Sequence, residues 1–443
     1  MLKTFPKGGV HPKENKFSAG KKIETLPLPK QVIVPVSQQI GAPSTPVVAV
    51  NDMVKTGQVI AKAEGFVSAN IHAPVSGKVT KIDFFTDSSG YKRKAIMIDT
   101  EGDEWADGIN RDPSLQKDCS LSPEEIIKKI NEAGLVGLGG ATFPTHVKLS
   151  VPKGKTAEYL LINAVECEPY LTSDHQLMME KADEIMVGTS ILMKALSVSK
   201  AMIGIENNKP DAIELFTRKA KEYKGIEVYA LRVQYPQGGE KQLIKAILNR
   251  EVPSGGLPID VGCVVQNVGT AFAVYEAVQK NKPLIERVVT VTGKSVKSPS
   301  NFLARIGTPV SQLIEAAGGV PEDTAKIVNG GPMMGKAINT TDVPVTKGTS
   351  GILIFRDSEA SRKEMQNCIR CAKCVSVCPM GLTPFMQMAV VERALWDEAE
   401  KYHILDCIEC GSCSYTCPAS RPLLDYIRLG KQTVNKIIRA RKA

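Results

Sequence analysis

Eight cysteines towards the carboxyl end form two copies of one motif, and this repeat constrains the fold more than any other feature of the 443 residues. Both copies have the spacing C-x2-C-x2-C-x3-C-P; they comprise Cys368, Cys371, Cys374 and Cys378, then Cys407, Cys410, Cys413 and Cys417. Each cysteine of the second copy lies 39 residues after its counterpart. This is the spacing of bacterial proteins that bind two [4Fe–4S] clusters.

In such proteins the fourth cysteine of each copy binds the other cluster. The predicted ligands are Cys368, Cys371, Cys374 and Cys417 for one cluster, and Cys407, Cys410, Cys413 and Cys378 for the other. Zinc and disulfides are the alternatives, but structural zinc sites usually pair C-x2-C units across a long gap. Neighbouring clusters transfer single electrons. We therefore expect the rest of the chain to contain the site at which those electrons enter.

The composition is that of an ordinary globular chain, with 43% hydrophobic and 23% charged residues. The formal charge of +9 suits an acidic protein partner or an anionic membrane surface. Nucleic acid is not an expected partner, since no Lys/Arg stripe with interleaved aromatic residues is present. The sequence has no apolar signal segment and no run of about 18 apolar residues. We therefore expect no transmembrane segment and a location in the cytosol or on the cytoplasmic face of the membrane.

The amino-terminal third is predicted to be rich in β-structure. Residues 1–30 form a polar arm with many Lys, Gly and Pro residues, and residues 31–100 have short strands separated by glycine turns, which indicates a β-sandwich. The residue pattern of this segment resembles that of lipoyl and biotinyl carrier domains. Its hairpin tip, Glu64-Gly65-Phe66-Val67, has no lysine to carry a group, so we expect a structural role for the module.

Strands and helices alternate over residues 120–280, which predicts a doubly wound, Rossmann-like parallel sheet. Ligands of such sheets bind beyond the carboxyl ends of the strands. Residues 284–355 return to short strands and indicate a β-grasp module, and residues 357–443 are predicted to form a helical, ferredoxin-like domain around the two clusters. Within this domain, Pro384 to about Lys401 is predicted to form one helix that links the two cysteine loops. The chain is thus a multidomain α/β protein.

Several polar and glycine-rich segments fall at the ends of the predicted strands: Gly137 to Gly140, Glu166 to Glu168, Gly238 to Glu240, and Asn267. Backbone N–H groups of a glycine loop can hold a phosphate, although such loops serve packing and tight turns as often. Carboxylates beyond a strand can accept hydrogen bonds from ribose. A flavin is the usual converter between hydride carriers and one-electron clusters, so flavin with nicotinamide is one hypothesis for this site.

The segments Gly137-Leu-Gly-Gly-Ala-Thr-Phe-Pro-Thr-His-Val-Lys148 and Asn163-Ala-Val-Glu-Cys-Glu-Pro169 resemble the flavin-binding, NADH-oxidising subunit of respiratory complex I. The order of modules, from Gly8-Gly-Val-His-Pro12 to the doubled cysteine motif, resembles the C subunit of Rnf complexes, which are ion-translocating ferredoxin:NAD⁺ oxidoreductases. The resemblance covers nearly the whole chain. A related sodium-pumping quinone reductase subunit shares the front modules but lacks the clusters.

The resemblance implies FMN, NAD(H) as substrate, and partner subunits in a membrane complex, including a ferredoxin-like subunit. It implies FMN contacts from Gly137, Gly139, Gly140, Lys148, Asn163, Glu166, Asn267 and Thr270. It also implies that Glu168 and Glu240 face the nicotinamide nucleotide as catalytic-site residues, with Phe143 as a stacking surface. The sequence departs from the complex I pattern at Leu138, Thr142, His146 and Val165.

Two further hypotheses remain open on the sequence alone. The chain could be a relay or scaffold subunit whose clusters accept electrons from another protein, with a purely structural glycine loop. It could also be a metabolite sensor that uses the β-grasp module. Stoichiometric FMN and NADH-dependent cluster reduction distinguish the enzyme from both.

Overall fold

The computed structural model describes residues 2–361 and 363–442. Met1, in the predicted arm, and Arg362 and Ala443, in the predicted cluster domain, lie outside the described residues. Four modules follow one another in the order expected from the sequence. Within the described ranges, no helix is both long and apolar enough to cross a membrane.

The first module is a β-sandwich of two small antiparallel sheets with strand orders β2-β8-β7-β4 and β3-β5-β6. Alternating β-branched residues such as Val32, Val34, Ile96 and Ile98 point inwards and are fully buried. The module extends to residue 102, slightly past the predicted end. Its strands are β2 (Gln31–Pro35), β3 (Thr45–Pro46), β4 (Met53–Val54), β5 (Val59–Lys62), β6 (Ile71–His72), β7 (Ser76–Thr86) and β8 (Lys92–Gly102).

The second module is the predicted doubly wound domain, with a parallel sheet in the order β11-β10-β9-β12. Its strands are β9 (Tyr159–Asn163), β10 (Ala201–Glu206), β11 (Ile226–Leu231) and β12 (Cys263–Asn267). Its helices are α1 (Pro123–Glu132), α2 (Thr145–Leu149), α3 (Ser173–Glu180), α4 (Ala182–Leu196), α5 (Pro210–Ala220), α6 (Glu240–Leu248) and α7 (Val268–Gln279). Separate hydrophobic clusters cover the two faces of the sheet.

Local sequence signals set the ends of these elements. Ser122 and Glu125 form a capping box that begins α1, with a proline at its first turn. Gly134 follows the helix in a left-handed conformation with φ of 66°, which glycine adopts without steric cost.

The third module is a mixed six-stranded sheet in the order β1-β14-β13-β17-β15-β16, with α8 (Val310–Ala316) against its core. The strands are β1 (Ile23–Thr25), β13 (Glu286–Thr292), β14 (Ser300–Arg305), β15 (Thr324–Asn329), β16 (Lys336–Ile338) and β17 (Gly351–Arg356). β1 comes from the amino-terminal arm and pairs in parallel with β14. The arm also forms isolated β-bridges at Lys3 and Val10 to the second module, so it joins modules rather than standing apart.

The fourth module surrounds the cysteine motifs. After the short α9 (Asp357–Ala360), its helices are α10 (Lys373–Ser376), α11 (Pro384–Glu392), α12 (Trp396–Lys401), α13 (Ser412–Thr416) and α14 (Leu423–Lys442). The prediction of a single helix from Pro384 to about Lys401 is wrong. It is divided into α11 and α12, because Ala394 has a left-handed φ of 53° that an α-helix cannot contain.

Candidate functional site

The eight motif cysteines surround two cavities. The first cavity, of about 130 Å³, is lined by Cys368, Cys371, Cys374 and Cys417. The second is smaller, about 20 Å³, and is lined by Cys378, Cys407, Cys410 and Cys413. Three successive cysteines of one motif and the last cysteine of the other therefore meet at each cavity, which is the grouping expected for ligands of two [4Fe–4S] clusters.

The two cysteine loops have the same backbone conformation. Left-handed residues recur 39 positions apart at Arg370 and Glu409, at Ala372 and Gly411, and at Gly381 and Ser420. A short helix follows each central pair, α10 in the first loop and α13 in the second. The duplication seen in the sequence is thus also a duplication of local structure.

The second cavity is enclosed by parts of the other modules. In the arm, the Gly9 N–H donates to the Val377 carbonyl at 2.9 Å. A Cβ at Gly8, where φ is 71°, would lie 2.6 Å from the Cys378 carbonyl carbon. The Tyr235 hydroxyl donates to the Cys410 carbonyl at 2.8 Å, so the doubly wound domain contacts this loop directly.

The predicted flavin residues collect at the carboxyl ends of the neighbouring strands β9 and β12. This is where the strand order reverses, and it is the usual ligand site of such sheets. The Glu166 carboxylate accepts from the Asp174 N–H at 2.7 Å and from the His175 N–H at 3.2 Å, so it caps α3. Asn267 caps α7 by accepting from the Gly269 N–H at 2.8 Å.

Asn163 and Asp174 complete this crevice. The Asn163 amide donates to the Gly238 carbonyl at 2.8 Å. The Asn267 amide donates to the Asp174 carboxylate at 2.7 Å. Burial and the neighbouring Glu166 raise the pKa of Asp174 to about 6. The crevice therefore holds two close carboxylates beside a helix amino terminus.

The glycine loop lies over the same strand ends. Thr270 accepts a hydrogen bond from the Leu138 N–H at 2.9 Å, and a Cβ at Gly139 would lie 3.5 Å from Cβ of Asn267. The Gly137 N–H donates to the carbonyl of Phe143, a half-buried residue, at 2.8 Å. Gly140 has a left-handed φ of 111°, and a Cβ there would meet open space. The loop is anchored at both ends, and its exposed tip is free to contact a ligand.

Lys148 and Glu240, predicted to bind different ligands, lie side by side. The Lys148 ammonium donates to the Glu240 carboxylate at 2.9 Å and to the Val265 carbonyl at 3.1 Å. Next to Val265, buried Gln266 has no hydrogen-bond partner for either amide atom among the described residues. An unsatisfied buried amide is costly unless a ligand or water completes it, so these residues fit a polar cofactor such as FMN.

Glu168 links the crevice to the third module and to the second cavity. Its carboxylate accepts from the Met333 and Met334 N–H groups at 3.1 and 2.9 Å, and the Tyr235 hydroxyl oxygen, whose proton is donated to the Cys410 carbonyl, lies 3.4 Å away. Burial raises the pKa of Glu168 to about 7, while these hydrogen bonds lower it. The contact with the nicotinamide nucleotide expected for Glu168 stays a prediction.

Sequence reasoning missed three residues that hold the site together. The Lys16 ammonium donates to the carbonyls of Glu166 and Glu168 at 3.0 and 2.9 Å. Buried Arg287, from β13, donates to the Leu138 carbonyl of the glycine loop at 3.3 Å. Tyr235 is the third. All three come from distant parts of the chain. Gly8 and Gly9, on the same arm as Lys16, were the one sign in the sequence that the arm packs closely against another module.

Four family models match the chain in the expected order. They are the RnfC barrel sandwich hybrid domain at residues 3–103, the Nuo51 FMN-binding domain at 130–276, the SLBB domain at 288–337 and the 4Fe-4S dicluster domain at 360–418. These matches confirm the predicted fold class, FMN and the two [4Fe–4S] clusters.

Curated relatives cover nearly the whole chain. The C subunit of the proton-translocating ferredoxin:NAD(+) oxidoreductase complex of Clostridium ljungdahlii is 49% identical, over 97% of this chain and 93% of its own. The C subunit of the Na(+)-translocating complex of Acetobacterium woodii is 44% identical, over 97% and 96%. Among solved structures, an NAD+-reducing [NiFe]-hydrogenase in the H2-reduced state shares the fold, with a TM-score of 0.50, 18% identity, and 71% and 63% of the two chains covered.

Proposed function

The chain belongs to the family of C subunits of ion-translocating ferredoxin:NAD⁺ oxidoreductase complexes, and we propose that it exchanges electrons between NAD(H) and its partner subunits through FMN and two [4Fe–4S] clusters. One observation carries the proposal. The flavin crevice and the second cysteine cavity share a wall, formed by Glu168, Tyr235 and Cys410.

The residues of the crevice would hold FMN at the carboxyl ends of β9 and β12. N–H groups of Gly139 and Gly140 and the Lys148 ammonium would bind the phosphate, because exposed backbone N–H groups and a cation both attract an anionic group. The remaining flavin contacts are assigned to Gly137, Asn163, Glu166, Asn267 and Thr270. Bound FMN supplies the conversion between hydride chemistry and one-electron chemistry.

The nicotinamide nucleotide would lie on the exposed side of the glycine loop. Glu240, at the start of α6, binds its hydroxyl groups, and Phe143 offers an apolar surface. Glu168 has a positioning role in addition to its expected nucleotide contact, since it fixes the turn at Met333 and Met334 against the second cysteine loop. The protein therefore acts mainly by holding two ring systems in place and excluding water.

The cysteines are assigned by the crossed pattern, with Cys417 in the first cluster and Cys378 in the second. The first cavity provides the outlet to the partner because Cys368 and Cys371 are exposed, as is Ile369 at 69%. Arg370 and Arg421 also line it. This basic, partly apolar rim suits an acidic, ferredoxin-like subunit on the cytoplasmic face of the membrane.

An anaerobic NADH titration of the reconstituted chain tests the proposal, followed by visible absorption and electron paramagnetic resonance. We expect stoichiometric FMN that bleaches on addition of NADH, with reduced-cluster signals. Lys148→Ala should lose FMN, while Lys155→Ala, which removes an exposed lysine paired with Asp260, should retain it. Clusters that stay oxidised with NADH but are reduced by a low-potential reductant would support the relay hypothesis instead.

A further inference from the structure

The hairpin tip of the β-sandwich lies against the module that contains the glycine loop. The His146 Nε2 atom, on α2, is 3.0 Å from the Phe66 carbonyl oxygen, and the two rings meet edge to face with centroids 5.8 Å apart. The Ile40 N–H donates to the carbonyl of Thr142, within the glycine loop segment, at 3.2 Å. Two loops of the β-sandwich thus border the glycine loop.

The tip is held firmly although its aromatic side chain is exposed. The Val67 carbonyl accepts from the Ala42 N–H at 3.0 Å, and the Ser68 hydroxyl donates to the Ala42 carbonyl at 2.9 Å. Gly41, with φ of 115°, allows this approach, since a Cβ there would lie 1.9 Å from the Val67 carbonyl oxygen. The Phe66 side chain is nevertheless 62% exposed. A rigid backbone that presents a large apolar ring to solvent is suited to binding a planar group with little loss of entropy.

The surroundings of Phe66 favour one end of a dinucleotide. Gly139, Gly140 and Ala141 are exposed at the tip of the glycine loop, and Ile40 beside them is 51% exposed. If FMN is held at the strand ends, a nicotinamide ring that exchanges a hydride with it would lie there as well. The adenine end of the dinucleotide would then extend outwards, past the exposed loop.

We propose that the β-sandwich tip forms a wall of the nucleotide site and that the Phe66 ring stacks on the adenine base of NAD(H). The inference rests on the proposed function, because it requires a nicotinamide nucleotide at the glycine loop. It gives the carrier-like module a binding role: an aromatic ring at the hairpin tip contacts the substrate, where a carrier domain would present a modified lysine.

The test measures binding by isothermal titration calorimetry to the full chain loaded with FMN and clusters. The probes are NAD⁺, ADP-ribose, which has the adenine end, and nicotinamide mononucleotide, which lacks it. Stacking of a base on an aromatic residue contributes about 1–3 kcal/mol, so Phe66→Ala should weaken NAD⁺ and ADP-ribose binding about 5- to 150-fold. Binding of nicotinamide mononucleotide should not change, and Phe66→Tyr should restore affinity.

Phe84→Ala is the matched control, because Phe84 is also 62% exposed and lies on β7 of the same module. Wild-type affinity for NAD⁺ and ADP-ribose in Phe66→Ala would overturn the inference and leave the proposed function intact. Equal weakening of all three probes would also overturn it, since the change would then not be specific to adenine. Wild-type protein that binds none of the probes would instead overturn the proposed function.

Discussion

The two cysteine cavities have the same local structure and opposite surroundings. Both loops repeat the same left-handed positions and short helices. Yet Cys368 and Cys371 of the first cavity are exposed, whereas Cys378, Cys410 and Cys413 of the second are buried. The motif therefore determines the shape of each ligand set, and the neighbouring modules determine its solvent exposure.

This difference assigns an order to the two sites. The second cavity contacts the flavin module through Tyr235 and through Gln242 of α6, whose amide donates to the Pro379 carbonyl at 3.4 Å. The first cavity opens to solvent beside Ile369. We therefore expect an electron that leaves the crevice to reach the second cavity, here called the inner site, before the first cavity, the outer site. The outer site is accessible to another protein.

The largest expected effect comes from removing one ligand of each site. Cys417→Ser should destroy the outer cluster and Cys413→Ser the inner one, although both cysteines belong to the same motif. Each variant should fall from about eight to about four iron atoms per chain, because each cluster needs all four thiolates. Iron analysis and electron paramagnetic resonance measure the loss.

The electron path distinguishes the two variants further. The chain without the outer cluster should still show NADH-dependent reduction of the inner cluster, whereas the chain without the inner cluster should reduce its remaining cluster slowly. Cys263→Ser, a buried cysteine on β12 outside the motifs, is the control. The same residual cluster signal in both variants would contradict the crossed assignment.

Much of this arrangement could be predicted from sequence because it depends on short-range patterns. The capping box of α1, the limits of β9 and β11, and the start of α14 at Leu423 all follow from local signals. The cysteine groups follow from one rule for paired clusters. The break at Ala394 could not be predicted, since nothing in the neighbouring residues excludes a continued helix.

The wall between crevice and inner cavity depends on long-range contacts that a single sequence does not contain. Glu168 meets Met333 and Met334 from a module 165 residues further along the chain. The pattern around Glu168 indicated a nucleotide contact, but it contained no sign of these amide partners. The arm was predicted as a separate region, whereas Gly8 packs against Cys378, 370 residues away.

A smaller effect is expected from closing the space between the arm and the inner site. Gly8→Ala places a Cβ 2.6 Å from the Cys378 carbonyl in a left-handed conformation, and strain with overpacking should cost about 2–5 kcal/mol of stability. Gly20→Ala is the matched control: its φ is 75°, but a Cβ there contacts nothing within 4 Å, so only about 1 kcal/mol of strain is expected. Chemical unfolding under anaerobic conditions gives both values.

If the arm encloses only the inner site, Gly8→Ala should affect the inner cluster alone. Chelator challenge should release iron from the inner cluster faster than in wild type, with the outer cluster released at the wild-type rate. Faster release from both clusters equally would mean that the arm stabilises the whole domain and does not enclose one site.

The smallest effect is expected from the single hydroxyl that joins the crevice to the inner loop. Tyr235→Phe removes the hydrogen bond to the Cys410 carbonyl, whose net value is about 1 kcal/mol. The hydroxyl dipole stabilises the more negative, reduced form of the cluster, so its loss should lower the reduction potential of the inner cluster. For one electron, about 1.4 kcal/mol corresponds to 59 mV, so about 1 kcal/mol limits the fall to about 40 mV. Redox titration followed by electron paramagnetic resonance resolves such a shift.

The reduction potential of the outer cluster should stay constant. Both potentials should also stay constant in the control Tyr229→Phe, whose hydroxyl contacts Glu227 on the edge strand β11. An equal fall in both potentials would show that Tyr235 acts on the domain as a whole, and the inner site would then lose its distinct link to the crevice.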